Sequence, residues 1–242
     1  MEIYDLFCDA SINLETKTAC AGCTVVNNIN GGVTSYGIIQ KNATNNSAEI
    51  LAIWLGVNKA LEIRNRYIRS NETCEIRFRL FSDSKVSLFG VKTWIYSWIR
   101  NQTAEGVLIN SSGLPVANQK YFIDIFNMIV QNNLHIEFYH QRGHVCLFDS
   151  TKLDKASKDF KNSNSIPVHR LGVDISYISK FNNLVDQLSR DVVHQYDLEG
   201  YKPFEGSNFH EELEYPMEFF ASVRNCSTYK DLISDGRNKI VS

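Results

Sequence analysis

Three strand-like runs of apolar and polar positions stand at the start of the chain. Residues 3–9 alternate and are rich in strand-forming side chains, and two further strand-like runs follow at 19–27 and 32–40. The Asn and Gly residues at 28–32 are typical of a tight hairpin between the second and third runs. The pattern therefore predicts a three-stranded antiparallel meander whose first strand ends on an acid, Asp9.

Helical spacing of apolar residues follows, and it predicts a buried helix that runs to about Arg66. The N-cap candidates at its start are Asn45, Asn46 and Ser47. Glu49 then places a carboxylate in the first turn. Such an acid can simply satisfy the helix dipole, which stabilises a helix by less than ~1 kcal/mol. The alternative is that the charge is paired or bound to a metal, because a lone charge beside a core helix is costly.

The middle of the chain alternates strand and helix patterns. Residues 74–81 predict a strand that runs into Asp83, and residues 135–140 predict a last strand. Helical patterns lie between them, at 85–100 and 118–130. The fold class is therefore α/β, with a five-stranded mixed sheet of an antiparallel meander plus parallel strands, flanked by helices. Asp83 follows a strand end, which is where ligands tend to gather in such sheets.

The pattern loosens after Arg142, and residues up to Lys180 predict a long irregular stretch. Such stretches inside a compact domain are usually functional or mobile. This one carries four lysines at three-residue steps: Lys152, Lys155, Lys158 and Lys161. Regular structure returns with a helix at 182–190, whose first turn contains Asp186.

The composition of the chain indicates its domain organisation and excludes some structural classes of protein. With 242 residues, 43% hydrophobic and 21% charged, the chain is globular, and fibrous or wholly disordered classes are excluded. The formal net charge of -2 hides an asymmetry, because residues 197–242 carry five basic and nine acidic side chains. We divide the chain into a domain at 1–196, with a Lys-rich insertion at 145–180 before the last helix, and an acidic, aromatic C-terminal extension at 197–242.

The sequence shows no secretory leader and no apolar run long enough for a membrane span. We therefore expect a cytoplasmic protein with no membrane partner, and a monomer. The six cysteines are scattered. Cys20 and Cys23 form a C-x-x-C pair, but no second pair follows at zinc spacing, which favours strand packing over metal binding.

Four acids occupy strand ends and helix starts that such a sheet brings together: Asp9, Glu49, Asp83 and Asp186. Taken singly, each is explained by solvation at a strand end or by helix capping. Taken together, they would repel one another severely unless something compensates their charge. Hard divalent cations with oxygen ligands do so, and Mg²⁺ is the usual ion where phosphates supply further ligands. Two such ions ~3.5 to 4 Å apart activate water and stabilise the leaving oxygen in phosphodiester hydrolysis.

The residues around these acids resemble type 1 ribonuclease H, a member of the ribonuclease H-like superfamily. The resemblance covers roughly residues 1–195 and rests on five blocks in order: Asp9-Ala10-Ser11, Thr44-Asn45-Asn46-Ser47-Ala48-Glu49, Asp83-Ser84-Lys85 with Gly90 and Trp94-Ile95-Tyr96-Ser97-Trp98, Arg142-Gly143-His144, and Asn183-Leu184-Val185-Asp186-Gln187-Leu188-Ser189-Arg190. It implies an endonuclease that cuts the RNA strand of RNA/DNA hybrids. It also implies that the four acids hold two Mg²⁺ ions, with Mn²⁺ as the alternative ion.

The resemblance assigns further roles residue by residue. His144 matches a loop histidine that assists proton transfer or product release. Thr44 and Asn45 match residues that contact the DNA phosphate and the RNA 2′-hydroxyls, and such 2′-OH contacts distinguish RNA from DNA. Trp94 and Trp98 match the aromatic side of a DNA-strand channel, although a Trp pair on one helix face is also typical of a core. Two more residues complete the implied substrate contacts: Ser11 and Lys85.

The sequence also departs from the family pattern. Residues 12–17 replace the usual Gly- and Pro-rich turn, Lys85 stands where Gln is common, and the helix with the Trp pair lacks a dense basic cluster. His144 and Asp186 lie 42 residues apart, farther than is typical of the family. Our hypothesis is that the lysines of residues 145–180 form a mobile flap over the hybrid backbone.

Other functions on the same fold stay open at this point. One is a nucleic-acid-binding module with weak or no catalysis, and another is a nuclease that acts on DNA. Retention of all four acids and His144 favours an active enzyme. The extension at 197–242 is expected either to cover a face of the domain or to bind a protein partner.

Overall fold

The computed structural model describes residues 1–70, 74–199 and 209–211. Its centre is one mixed sheet with the spatial strand order β5-β4-β1-β2-β3-β6. The strands are β1 (Glu2–Asn13), β2 (Thr18–Asn27), β3 (Val33–Gln40), β4 (Ile76–Ser82), β5 (Ile136–His140) and β6 (Phe209–Glu211). β1, β2 and β3 form the antiparallel meander, while β4 pairs in parallel with β1 and β5 pairs in parallel with β4.

The predicted five-stranded sheet is therefore confirmed, and β6 adds a sixth strand. β6 comes from the C-terminal extension and pairs in parallel with β3 at the edge of the sheet. An added strand satisfies backbone groups that an open edge would leave unpaired. The remaining expectations for the extension lie outside the described residues.

Helices cover both faces of the sheet. They are α1 (Asn45–Arg69), α2 (Lys85–Phe89), a π-helical turn (Gly90–Trp94), α3 (Ile95–Arg100), α4 (Gln119–Gln131), α5 (Ser150–Asn164), a 3₁₀ turn (Val168–Leu171) and α6 (Ile175–Glu199). Within the described part of the chain, no helix is both long enough and apolar enough to cross a membrane.

The alternation along β1 divides the core into two layers. Leu6 and Cys8 pack on one face, in a large cluster with the side chains of α1 and α4. Phe7 points to the other face, where it packs with Phe160 of α5 and Phe181 of α6. Successive side chains of a strand point to opposite faces, so a single strand contributes to both layers.

The sheet corrects the expectation that β1 ends on Asp9. β1 continues to Asn13, because β2 extends the antiparallel ladder past Asp9. The parallel neighbour of β1, which is β4, stops earlier, because the last pair between the two strands joins Cys8 to Ser82. Asp9 therefore lies just where β4 ends and Asp83 leaves the sheet, so the two acids still come together.

The start of α1 also differs from expectation. Its N-cap is Thr44, whose hydroxyl accepts from the Ser47 amide at 3.1 Å, while the Ser47 hydroxyl accepts from the Thr44 amide at 2.8 Å. This reciprocal capping box fixes the first turn. Because the helix begins at Asn45, Glu49 lies in the second turn, not the first.

The predicted irregular stretch at 142–180 is wrong, because most of it is helical. α5 begins at an N-cap, Asp149, whose side chain accepts from the Lys152 amide at 3.1 Å. It buries Ala156 and Phe160 against the sheet. The mobile flap expected here is thus a helix packed on the second layer.

α6 begins earlier than predicted, at Ile175 instead of residue 182. The Asp174 carboxylate caps it by accepting from the Tyr177 amide at 2.7 Å. Ile178, Phe181 and Val185 recur at helical spacing and are buried against the sheet. Asp186 is therefore in the middle of a long helix, not in its first turn. The predicted domain boundary at 196/197 falls inside α6, which runs to Glu199.

Candidate active site

Three of the four predicted acids meet at one end of the sheet. Asp9 comes from β1, Asp83 follows β4, and Glu49 comes from the second turn of α1. One carboxylate oxygen from each lies within 4.8 Å of the others. Asp9 is buried and the other two are half-buried, so the cluster is largely shielded from water.

The cluster is electrostatically unfavourable in the absence of a cation. Burial, together with the nearby carboxylates, raises the pKa of Asp9 to about 9 and that of Glu49 to about 8. The pKa of Asp83 is also raised, first by burial, although the charge of His144 lowers it. Within the described residues, Asp9 Oδ2 and Glu49 Oε2 are buried without a hydrogen-bond partner. Such atoms are costly unless a ligand satisfies them.

The donor set fits a hard divalent cation. It consists of close carboxylate oxygens, two of them buried and unpartnered, and such oxygens are the ligands that Mg²⁺ and Mn²⁺ take. A divalent charge among them would reverse the repulsion that raises their pKa values.

Asp186, the fourth predicted acid, lies beside this cluster. Its charge raises the pKa of Asp9, Glu49 and Asp83. Its carboxylate is already engaged, because Oδ2 lies 2.5 Å from Arg190 Nη2 and 3.2 Å from His144 Nδ1. α6 can place Asp186 close to Asp9 because of a glycine on β2. Gly22 pairs with Asp9, and a side chain there would clash with Val185 and Ser189 of α6.

His144 is presented by a loop that packs tightly on the site. Its backbone is left-handed, with φ of 52°, and its side chain is 70% exposed. The Val145 carbonyl accepts from Asn183 Nδ2 at 2.8 Å, which ties the loop to α6. Gly143 lies against Asp83 so closely that a Cβ there would be 2.0 Å from Asp83 Oδ2. The imidazole thus contacts Asp186 through Nδ1 while most of the side chain stays exposed.

Two supporting contacts were not predicted from the sequence. The buried side-chain amide of Gln141 donates through Nε2 to Asn182 Oδ1, and the Asn182 side chain lowers the pKa of Asp83. These residues are 41 positions apart, so no local pattern indicates their contact. Arg190 is different, because it follows Asp186 by four residues on a predicted helix, and that spacing is a usable signal for an ion pair.

The predicted substrate residues lie around the cluster. Thr44 and Asn45 are exposed at the N-terminus of α1, one turn before Glu49. Ser11 is half-buried on β1, two residues after Asp9 and therefore on the same face. Lys85 is exposed at the first position of α2 and lines a cavity with Asp83.

The two tryptophans have different environments. Trp98 is only 9% exposed and packs edge-on against Phe122, with ring centroids 5.1 Å apart. Trp94 is 42% exposed, with its centroid 6.0 Å from that of Trp98. Trp98 is therefore a core residue that supports Trp94, and Trp94 is the member of the pair that solvent reaches.

A cavity of about 610 Å³ lies beside the carboxylates. The site contributes Asp83 and His144 to its wall, and α5 contributes Asp159, Asn162 and Ser163. The other lining residues are Lys85, His140, Gln141, Arg142 and Gly143. This wall joins the carboxylate cluster to α5.

Comparison with known proteins identifies the family. The RNase H family model matches residues 1–161, about two thirds of the chain. The chain therefore belongs to the RNase H family. No curated protein sequence matches it.

Several solved structures resemble the fold. LC11-RNase H1, isolated from compost by a metagenomic approach, is 14% identical with a TM-score of 0.43, covering 81% of this chain and 98% of that one. LC9-RNase H1, a type 1 RNase H with the type 2 active-site motif, is 17% identical with a TM-score of 0.41, covering 68% and 74%. The foamy viral protease-reverse transcriptase in complex with an RNA/DNA hybrid is 13% identical with a TM-score of 0.47, covering 80% of this chain and 20% of that one.

Proposed function

We propose that this chain is a ribonuclease H that hydrolyses the RNA strand of RNA/DNA hybrids. The observation that carries the proposal is the cluster of Asp9, Glu49 and Asp83 at the sheet end of an RNase H family member, with Asp186 and His144 beside it. A buried, self-repelling group of carboxylates lowers stability unless it binds cations. Its presence therefore favours a working metal-dependent site over a binding module that has lost catalysis.

Asp9, Glu49 and Asp83 would hold Mg²⁺ or Mn²⁺, and Asp186 would join them as the fourth ligand of a two-ion site. When bound, such ions supply the positive charge that activates water and stabilises the leaving oxygen in phosphodiester hydrolysis. The contribution of the chain is to hold these oxygens in place. Burial and the contact between Gly143 and Asp83 restrict how far the carboxylates can move.

His144 is suited to proton transfer. Asp186 Oδ2 lies 3.2 Å from Nδ1 and fixes the orientation of the ring, while Nε2 remains available to take or give a proton. The high exposure of the side chain allows that proton to exchange with solvent.

Substrate selection is assigned to the rim of the site. Thr44 and Asn45 lie at the exposed start of the helix that also carries Glu49, so contacts to the 2′-hydroxyls would be made within one turn of the metal ligands. Trp94 offers an exposed aromatic ring on which a nucleotide of the DNA strand can stack.

The test is cleavage of matched RNA/DNA hybrid, duplex RNA and duplex DNA in Mg²⁺, with the Asp83→Asn variant as control. We expect cutting of the RNA strand of the hybrid alone, and none by the variant. Cutting of duplex DNA would favour the DNA-nuclease alternative. Binding of the hybrid without cutting would favour the inactive module, and cleavage that survives Asp83→Asn would refute the assigned site.

A further inference from the structure

α5 is firmly attached to the sheet beside the site. The side-chain amide of Asn164, its last residue, acts like a strand neighbour of β5: Oδ1 accepts from the His140 amide at 2.9 Å and Nδ2 donates to the His140 carbonyl at 2.7 Å. Phe160 stacks on Tyr139 with centroids 5.9 Å apart. Arg142 Nη1 lies 2.8 Å from Asp159 Oδ2 and joins the loop of His144 to the helix.

The helix presents a stripe of polar residues that leads away from the site. Asp159, Asn162 and Ser163 line the cavity that Asp83 and His144 also line. Residues three, four or seven positions apart lie on one face of a helix, so two exposed lysines, Lys152 and Lys155, continue that stripe toward the N-terminal end of α5. Lys161 lies on the opposite side of the helix, whereas Lys158 lies at the edge of the stripe, because it follows Lys155 by three residues and precedes Asn162 by four.

The charge of the two flanks differs. On the site-facing stripe, Arg142 pairs with Asp159, and Lys152 Nζ lies 3.8 Å from Asp149 Oδ2, so Lys155 and Lys85 carry the positive charge that no ion pair among the described residues offsets. On the opposite side, Asp154 precedes Lys161 by seven residues, about two turns, and therefore lies on the same face as Lys161. The positive stripe therefore begins at the catalytic carboxylates and runs outward on one side of α5.

We propose that this stripe binds the phosphate backbone of the substrate hybrid next to the cut, an inference that rests on the proposed function. The donors nearest the site are Lys85, Arg142, Asn162 and Ser163, followed by Lys155 and Lys152. From Ser163 to Lys152 the helix rises about 16 Å, at 1.5 Å per residue. Each strand of a duplex carries one phosphate per ~3.4 Å of duplex axis, so a helix of that length lying parallel to the axis would span four or five phosphates. α5 thus takes the place of the basic cluster that the helix carrying Trp94 lacks.

The experiment compares two matched substitutions on the same helix. Lys155→Gln removes one charge from the stripe, whereas Lys161→Gln removes the same charge from the opposite side. Both substitutions are made in the full chain with Asp83→Asn, so that binding is measured without cleavage. Affinity for a fluorescent RNA/DNA hybrid is followed by anisotropy from 50 to 200 mM salt at fixed Mg²⁺. Both side chains are exposed, so thermal unfolding should be unchanged.

Each phosphate contact contributes about 0.9 to the slope of log K against log salt. Lys155→Gln should therefore lower the magnitude of the slope by about 1, which makes the affinity loss across this salt range about three- to fourfold smaller than in the parent. Lys161→Gln should keep the parent slope. Equal slopes in all three chains, or an equal decrease in both variants, would overturn the inference.

These outcomes separate the surface from the proposed function. If the wild-type chain cuts the hybrid but the slopes coincide, only the surface inference fails. If the wild-type chain cuts no hybrid but the slopes still separate, the proposed function fails and the stripe stands as a nucleic-acid contact.

Discussion

Replacing Gly143 by alanine tests how tightly the loop of His144 controls a metal-binding carboxylate. The new Cβ would lie 2.0 Å from Asp83 Oδ2 and 3.1 Å from Asp83 Cγ. Real Cβ contacts are essentially never shorter than 3.0 Å, so the carboxylate oxygen must move by about 1 Å. A misplacement of ~1 Å at a reacting centre costs about 10²-fold in rate. We therefore expect Gly143→Ala to lower kcat/KM for the hybrid about a hundredfold and to weaken Mg²⁺ binding.

The fold should tolerate the same change. The displaced atom is the end of a short side chain, and turning it away from its preferred rotamer costs about 0.5–1.5 kcal/mol. Alanine also restricts the unfolded chain, which stabilises the protein by about 0.4–1 kcal/mol. The two effects nearly cancel, so the free energy of unfolding should change by less than about 1 kcal/mol.

The measurements are single-turnover cleavage of the hybrid, calorimetric Mg²⁺ titration and chemical denaturation. Gly32→Ala is the matched control, because its Cβ would also meet a flexible side-chain oxygen, Asn30 Oδ1 at 2.9 Å, but in an exposed turn. The control should cleave like the wild-type chain. If Gly143→Ala also cleaves and binds Mg²⁺ normally, the position of Asp83 does not limit the reaction and the reasoning is refuted.

Two further predictions concern the tryptophan pair and pH. Trp98→Ala should destabilise the fold by about 3–5 kcal/mol because it empties a core position, whereas Trp94→Ala should weaken hybrid binding with little loss of stability. Denaturation and anisotropy distinguish the two, and equal losses of stability would contradict the assignment. In the metal-free chain, the pKa of Asp9 is raised to about 9 and that of Glu49 to about 8. The folded state therefore keeps protons that the unfolded chain releases near pH 4. Its free energy of unfolding should fall as pH rises from about 4 to 9, and Mg²⁺ should flatten that decrease. The Asp9→Asn, Glu49→Gln double variant should show a smaller decrease, with the remainder due to Asp83. An unfolding free energy that does not change with pH in EDTA would contradict the cluster.

The sequence was informative about the acids because their placement depends on local patterns. A strand ending near Asp83 and a helix starting near Glu49 follow from hydrophobic periodicity, and the sheet edge then brings them together. The exact turn that holds each acid was not predictable. The length of β1 depends on pairing with β2, and the start of α1 depends on the capping box of Thr44.

α5 was missed for a physical reason. Its apolar stripe is thin, with only Leu153, Ala156 and Phe160 on the inner face, and the lysines at three-residue steps obscure that periodicity. Its helical state depends on long-range contacts such as that between Asn164 and His140. Tertiary contacts of this kind override local propensity and are not visible in one sequence.

The role of the carboxylate cluster is tested by cleavage of a hybrid, labelled on its RNA strand, by the Glu49→Gln variant in saturating Mg²⁺. Glu49 distinguishes the two explanations, because it is either a metal ligand or an acid that only serves its helix. A metal-ligand role for Glu49 predicts no detectable cleavage of the RNA strand. It also predicts an undiminished free energy of unfolding without metal, because burial and the neighbouring carboxylates favour the neutral form of Glu49, which glutamine resembles. A variant that loses stability but cuts the RNA strand at the wild-type rate would contradict the account.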